Sequence, residues 1–130
     1  IPSHILMEPA TYPARLSITI ISDTLPWEIV VTPLLSSYPR PNFVTLSDIL
    51  TTLYTTLRVP VTSAEFASLS QSAQRRVGKA YMRRCSGVEY DERLKEKTKG
   101  VKRIDWFCGR TSFRGLGRMS GGGEEWVLRV

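Results

Sequence analysis

At 130 residues the chain has the length of one ordinary domain, enough to bury roughly two thirds of its unfolded surface and to fold without metal or disulfide staples. With 42% hydrophobic and 23% charged residues, it reads as neither a disordered tail nor an integral membrane protein. The 18 Lys and Arg against 12 Asp and Glu make it basic, at net +6, and the single histidine, His4, excludes a multi-histidine metal site.

Residues 1–14 hold three prolines, Pro2, Pro9 and Pro13, with little periodicity, and read as an extended N-terminal arm before a single domain over 15–130. Leu16, Ile18 and Ile20 alternate with Ser17 and Thr19, the period-2 signature of a half-buried strand over 15–21. Ser22-Asp23-Thr24 supplies a turn. A second strand follows over 27–31, with Trp27, Ile29 and Val31 on one face. From Pro33 to Pro41 the chain reads as a loop, which also carries Pro39.

Thr45 and Asp48 mark a helix start of the Thr-x-x-Asp type. After them Leu46, Ile49, Leu50, Leu53, Tyr54 and Leu57 recur at helical spacing, which predicts a helix over 46–58. Pro60 stops it, lacking the amide proton and pushing Val59 out of helical geometry. Thr62 and Glu65 form a capping box for a second helix over 63–85, with Phe66, Leu69, Ala73, Val77, Ala80 and Tyr81 as its apolar stripe. Ser70-Gln71-Ser72 is a point where this helix kinks or splits, and Gly87 reads as its left-handed terminator. The charged stretch 89–99, with Tyr90 and Leu94 as its large apolar anchors, reads as a short helix or a loop closed by Gly100. A third strand is expected over 101–108, with Ile104, Trp106 and Cys108 on one side, then a glycine-rich connection that includes Gly121–Gly123, then a last strand over 125–130. The order β-β-α-α-β-β predicts an α+β fold, an antiparallel sheet of about four strands packed against two main helices. Trp27, Leu50, Leu53, Phe66, Val77, Tyr81, Ile104 and Trp106 are its expected core.

Several of these segments resemble a small domain family of unknown function found mainly in basidiomycete fungi. The resemblance rests on Pro26-Trp27-Glu28-Ile29, Val44-Thr45-Leu46-Ser47-Asp48-Ile49-Leu50, Pro60-Val61-Thr62 and Glu65-Phe66, then Gly100-Val101-Lys102-Arg103-Ile104-Asp105-Trp106 and Gly109-Arg110-Thr111-Ser112-Phe113-Arg114-Gly115-Leu116. It spans roughly residues 26–130 and implies a small intracellular fungal domain, with no catalytic residues assigned.

No chemical constellation emerges from the residue types. Cys85 and Cys108 fall short of the four ligands of a structural zinc site and are expected as reduced, structural thiols. Gly109 through Gly117 lacks the Lys-Ser/Thr and the following helix of a phosphate-binding loop, so turns and bulges explain these glycines. There is no Gly-x-Ser-x-Gly elbow and no evident carboxylate pair among Asp105, Glu124 and Glu125. The expectation is no catalytic site, no metal and no cofactor. No apolar run approaches the ~20 residues that cross a bilayer, and no signal peptide pattern is present, although the chain begins at Ile1, as an excerpt of a longer protein would. An intracellular setting, cytoplasmic or nuclear, follows as the default, with no membrane insertion.

Charge is the one uneven feature. Residues 75–103 hold 11 basic and 4 acidic residues, so the whole positive excess lies there. Arg76, Lys79 and Arg83 share a helical stripe, flanked by Arg75, and Lys102 and Arg103 follow, a candidate surface for a polyanion or another partner. The alternative is a solvated face that keeps the protein soluble. Arg84 differs, because about 100° per residue places it only about 20° from Val77, inside the apolar stripe. Its guanidinium either extends into water or pairs with a carboxylate, and Asp105 among the apolar residues of 101–108 is the economical partner. The leading functional expectation is a non-catalytic module that binds a protein partner or itself, since exposed sheet edges can accept a partner's strand. The alternative is nucleic-acid or polyanion binding through the basic stripe of residues 75–103.

Overall fold

The computed structural model describes residues 2–34, 42–118 and 125–130. The loop expected around Pro39 and Pro41, the run Gly121–Gly123 and Glu124 lie outside them. The chain divides into two compact units, Ile1–Thr56 with Phe113–Val130, and Leu57–Ser112.

The first unit carries a four-stranded sheet in the order β2-β1-β4-β3, built from β1 (Ile18–Ile21), β2 (Ile29–Val31), β3 (Gly115–Arg118) and β4 (Glu125–Arg129). The strand number agrees with expectation, but the sheet is mixed. β1–β2 and β3–β4 are antiparallel, whereas β1 and β4 run parallel, with Ile20 opposite Trp126. A parallel pair cannot be closed by a tight hairpin, and the long excursion through residues 22–124 supplies the crossover. β3 itself falls inside the expected glycine-rich connection. Two of its four residues are Gly115 and Gly117, which hides the period-2 pattern that would reveal it. Ile18, Ile20, Ile29, Val31 and Leu128 bury their side chains, so the alternation read over Ile18–Ile20 points inward as expected. Leu16 does not. It precedes the strand and is exposed, and Trp27 stands outside β2 and is half-buried.

Two helices complete this unit. The stretch expected as an extended arm contains one helical turn, α1 (Ser3–Leu6), and is tied to the start of the next helix by Ala10 N–H to Val44 O (3.0 Å) and Leu46 N–H to Glu8 O (3.1 Å). α2 (Leu46–Leu57) begins where Thr45 and Asp48 exchange hydrogen bonds, Thr45 N–H to Asp48 Oδ2 at 2.9 Å and Asp48 N–H to Thr45 Oγ1 at 3.2 Å. The second Asp48 oxygen accepts from Leu34 N–H, so this buried carboxylate also fixes the chain leaving β2. Ile49 and Leu53 are buried, Leu50 is half-buried, and Tyr54 is exposed, which narrows the apolar face relative to the periodicity.

In the second unit the expected long helix is split. The Thr62–Glu65 capping box starts only a short α3 (Ser63–Ala67), and Ser70 caps a new helix, α4 (Gln71–Ser86), by accepting from Ala73 N–H. Gly87 ends α4 in right-handed geometry at φ −78°, against the left-handed terminator expected. The charged stretch forms α5 (Tyr90–Lys99), closed by Gly100 at φ +81°. The segment 101–108 is not a strand. After a bridge between Pro60 and Lys102 it winds into a 3₁₀ helix over Arg103–Phe107. Its spacing of Ile104, Trp106 and Cys108 mimics a strand, yet the turn buries Asp105, Trp106 and Phe107 consecutively, which an alternating strand cannot do. This turn and α5 pack on α4. Val77, Ala80, Cys85 and Trp106 are buried, Phe66 meets Trp106 edge-to-face at 6.5 Å, and Phe66, Tyr81 and Ile104 are half-buried.

Candidate functional site

The structure sorts the cations of 75–103 into engaged and exposed groups, all within the second unit. Arg84 leaves α4 at the edge of its buried face and meets Asp105 in a two-pronged contact, Nε to Oδ1 at 3.0 Å and Nη2 to Oδ2 at 3.1 Å. Its third nitrogen donates to Glu96 at 2.8 Å, and Nη2 also reaches Gly100 O. Asp105 Oδ2 accepts in addition from Lys102 N–H, anchoring the 3₁₀ turn that carries it. Burial works against the Arg84 charge, but the Asp105 hydrogen bonds and charge hold its pKa above the ordinary value. Lys102, expected on the partner-binding surface, is instead buried, with Nζ 3.3 Å from Glu96. The cluster is internally neutral, two cations against two carboxylates, and Lys99 adds a rim contact to Glu96 at 3.2 Å. The Lys99 hydrogen bond, helped by Lys102 and opposed by burial, lowers the Glu96 pKa. Tyr81 sits beside this cluster and donates its hydroxyl to Lys97 O at 2.7 Å. Burial and then the neighbouring Cys85 thiol push its pKa up.

Sequence reading missed Glu96. Tyr90 and Leu94 are the large apolar residues of α5 and suggest its inward face, but they are 82% and 74% exposed, while the Glu96 side chain is 17% exposed. The helix is docked through its carboxylate. The available signal was Arg84 itself, since one buried cation with one carboxylate leaves donors of its five-membered set unmet.

Arg75, Arg76, Lys79 and Arg83 form the exposed group. They occupy about 12 Å along α4, whose sequence contains no Asp or Glu. Among the described residues none of the four enters an ion pair, and Arg76 only donates to Ser72 Oγ, at 2.9 Å. The exposed apolar residue of this helix is Met82. Arg103 is half-buried in the 3₁₀ turn, where its backbone N–H is bonded to Val59 O, and does not continue the stripe.

A cleft of about 430 Å³ opens at the C-terminal end of this face. Ala80 and Ile104 line it with apolar surface, Arg58, Arg83 and Arg84 with guanidinium groups, and Gly109 and Thr111 with the loop after the 3₁₀ turn. That loop reverses through Cys108 at φ +54° and Gly109 at φ +92°, conformations that favour glycine at the second position. Among the described residues no group of three or more His, Cys, Asp or Glu is placed to hold a metal, and no helix is long and apolar enough to cross a membrane.

Residues 1–125 match a family of unknown function (DUF6699). No curated protein and no solved structure matches the chain.

Proposed function

The chain belongs to this family of unknown function, and we propose that it is a non-catalytic protein-interaction module that takes an acidic partner segment on the exposed face of α4. One observation carries the reading. Four cations stand on one helix without an acidic residue in that helix and without ion-pair partners among the described residues. Like charges so close repel one another, and an acidic partner segment would relieve that cost beyond what solvent and salt screening do. Met82 beside them and the outward Tyr90 and Leu94 on α5 supply apolar contact of the kind protein partners use. The setting belongs to the same proposal: a fungal and intracellular protein, cytoplasmic or nuclear, supported by two cysteines that remain free, Cys85 buried and Cys108 half-buried.

Nucleic acid is the second reading, favoured by the same four cations. It is weakened by poor aromatic interleaving, because Tyr81 is half-buried with its hydroxyl engaged and the exposed Tyr90, on α5, is the remaining stacking candidate. Fluorescence anisotropy of labelled acidic peptides and of single- and double-stranded DNA and RNA, each at low and physiological salt, separates the two. The proposal expects saturable peptide binding that is lost in Arg75→Glu/Arg76→Glu/Lys79→Glu, with nucleic acid bound weakly and collapsing as salt rises. Tight nucleic-acid binding with no peptide binding overturns it in favour of the second reading.

A further inference from the structure

We propose that the cleft between α4 and the loop after the 3₁₀ turn is a binding site for a small organic oxyanion, a phosphate monoester or carboxylate carried on a flat apolar body. This site shares Arg83 with the open face of α4, and the observations that belong to it alone are the cleft's volume and its lining. Its volume of about 430 Å³ falls within the range of small-molecule sites. Its lining is richer in charge than most such sites, with Arg58, Arg83, Arg84, Asp105 and Thr111 around the apolar Ala80 and Ile104.

The charge of the cleft favours an anion once its partners are traced. Asp105 lines it, but both carboxylate oxygens are engaged, Oδ1 by Arg84 Nε and Oδ2 by Arg84 Nη2 and Lys102 N–H. Arg84 and Lys102 balance Asp105 and Glu96, so this cluster presents neither a free carboxylate nor a free cation to the cleft. Arg83 remains. Its guanidinium has no hydrogen-bond or ion-pair partner among the described residues, and a planar fork of this kind matches the two oxygens of a carboxylate or phosphate. Gly109 keeps the opposite wall low. Its φ of +92° disfavours any side chain, and its Cβ position lies within ordinary van der Waals distance, 3.9 Å, of Arg83 Nη1, which places this glycine beside the guanidinium. Thr111 adds a hydroxyl to the same wall. An oxyanion held by Arg83 therefore places its apolar body over Ala80 and Ile104.

The test is a titration of the full chain, followed by backbone amide NMR, with phenyl phosphate, benzoate, inorganic phosphate and phenol as separate probes. The expected result is saturable shifts at Ala80, Ile104 and Gly109–Thr111 with phenyl phosphate or benzoate, the tighter of the two naming the head group. Inorganic phosphate, without the apolar body, and phenol, without the charge, each bind more weakly. Arg83→Glu should weaken binding at least about tenfold, and Arg83→Gln should weaken it less. Arg76→Glu changes the net charge of the same helix equally but lies outside the cleft, so its effect should stay within about threefold. Equal losses in Arg83→Glu and Arg76→Glu would reduce the effect to general attraction by the basic face and overturn the site. Phenol binding as tightly as phenyl phosphate, or no saturable shift with either anion, overturns it as well. Because Arg75→Glu/Arg76→Glu/Lys79→Glu removes the proposed protein-binding face while sparing Arg83, failure of that reading and failure of this one are distinguishable.

Discussion

Removing either member of the Arg84–Asp105 pair tests how the second unit is held together. Asp105 is 3% exposed and the Arg84 side chain 22%, so the pair lies between a surface bridge and a fully buried one. Arg84→Met leaves Asp105 charged and buried with the Lys102 N–H as its remaining donor. It also removes one of the groups held by Glu96. Breaking buried pairs one-sidedly costs about 3–5 kcal/mol, and Arg84→Met should fall in the lower half of that range because its side chain reaches solvent. Asp105→Asn keeps the shape but replaces one accepting oxygen with a donor. That NH₂ must face either Lys102 N–H or an Arg84 nitrogen, so the loss should be about 2–4 kcal/mol. In the double variant the mutual contact is already absent, and the total should be less than the sum by about 1–3 kcal/mol. Urea unfolding followed by circular dichroism measures all four corners of the cycle. A parallel cycle on Arg84→Met and Glu96→Gln should give the smaller coupling, since that contact is single-pronged. Additivity for Arg84 and Asp105 within about 0.5 kcal/mol would refute the reasoning.

Other expectations follow from particular residues. Glu96 has a lowered pKa, so its stabilising effect is complete above the ordinary carboxylate value of about 4.3 and disappears as pH falls through its lower folded value. Glu96→Gln should therefore be less stable than the parent at neutral pH, with the gap in thermal midpoint closing in acid. An unchanged gap at low pH would contradict the charge argument. Two glycine substitutions should have opposite signs: Gly109→Ala forces a side chain to φ +92° and should cost about 1–2 kcal/mol. Gly78→Ala, inside α4 with open space around its Cβ position, should stabilise by about 0.5–1 kcal/mol. Thermal melts of both variants check the pair. Leu53→Ala removes a side chain that is 6% exposed and should cost roughly 2–5 kcal/mol, read by the same melts.

What the sequence makes legible here is local chemistry. Thr45 with Asp48 and Thr62 with Glu65 form the reciprocal caps their spacing suggests, because such caps depend on residues three apart. The apolar spacing of α2 and the alternation around Ile18 and Ile20 survive for the same reason. Long-range pairing is not local. Nothing in residues 15–21 or 125–130 announces that β1 and β4 lie parallel, and β3 is hidden by glycines that contribute no pattern. The 101–108 segment misleads because Ile104, Trp106 and Cys108 satisfy a period of two over a stretch too short to exclude a tight helical turn.

The two local anomalies in that part of the chain are informative together. A cation in the apolar stripe of α4 and a carboxylate among the aromatic residues of 103–107 each break the pattern of their own element, and the structure joins them. Satisfying Arg84 takes more acceptors than Asp105 provides, which draws Glu96 inward and turns Tyr90 and Leu94 of α5 outward. The buried network thereby determines which surface α5 exposes. It also divides the basic residues by role. Lys102 is consumed in neutralising the interior, whereas Arg75, Arg76, Lys79 and Arg83 enter no ion pair among the described residues, and it is these four that the proposed partner would meet. The basic excess of 75–103 is thus two features with separate physics. A salt titration of unfolding should leave the inner pairs little affected, because buried charges are weakly screened, while any binding through the outer four should weaken steeply. Equal salt sensitivity of folding and binding would show that the division is wrong.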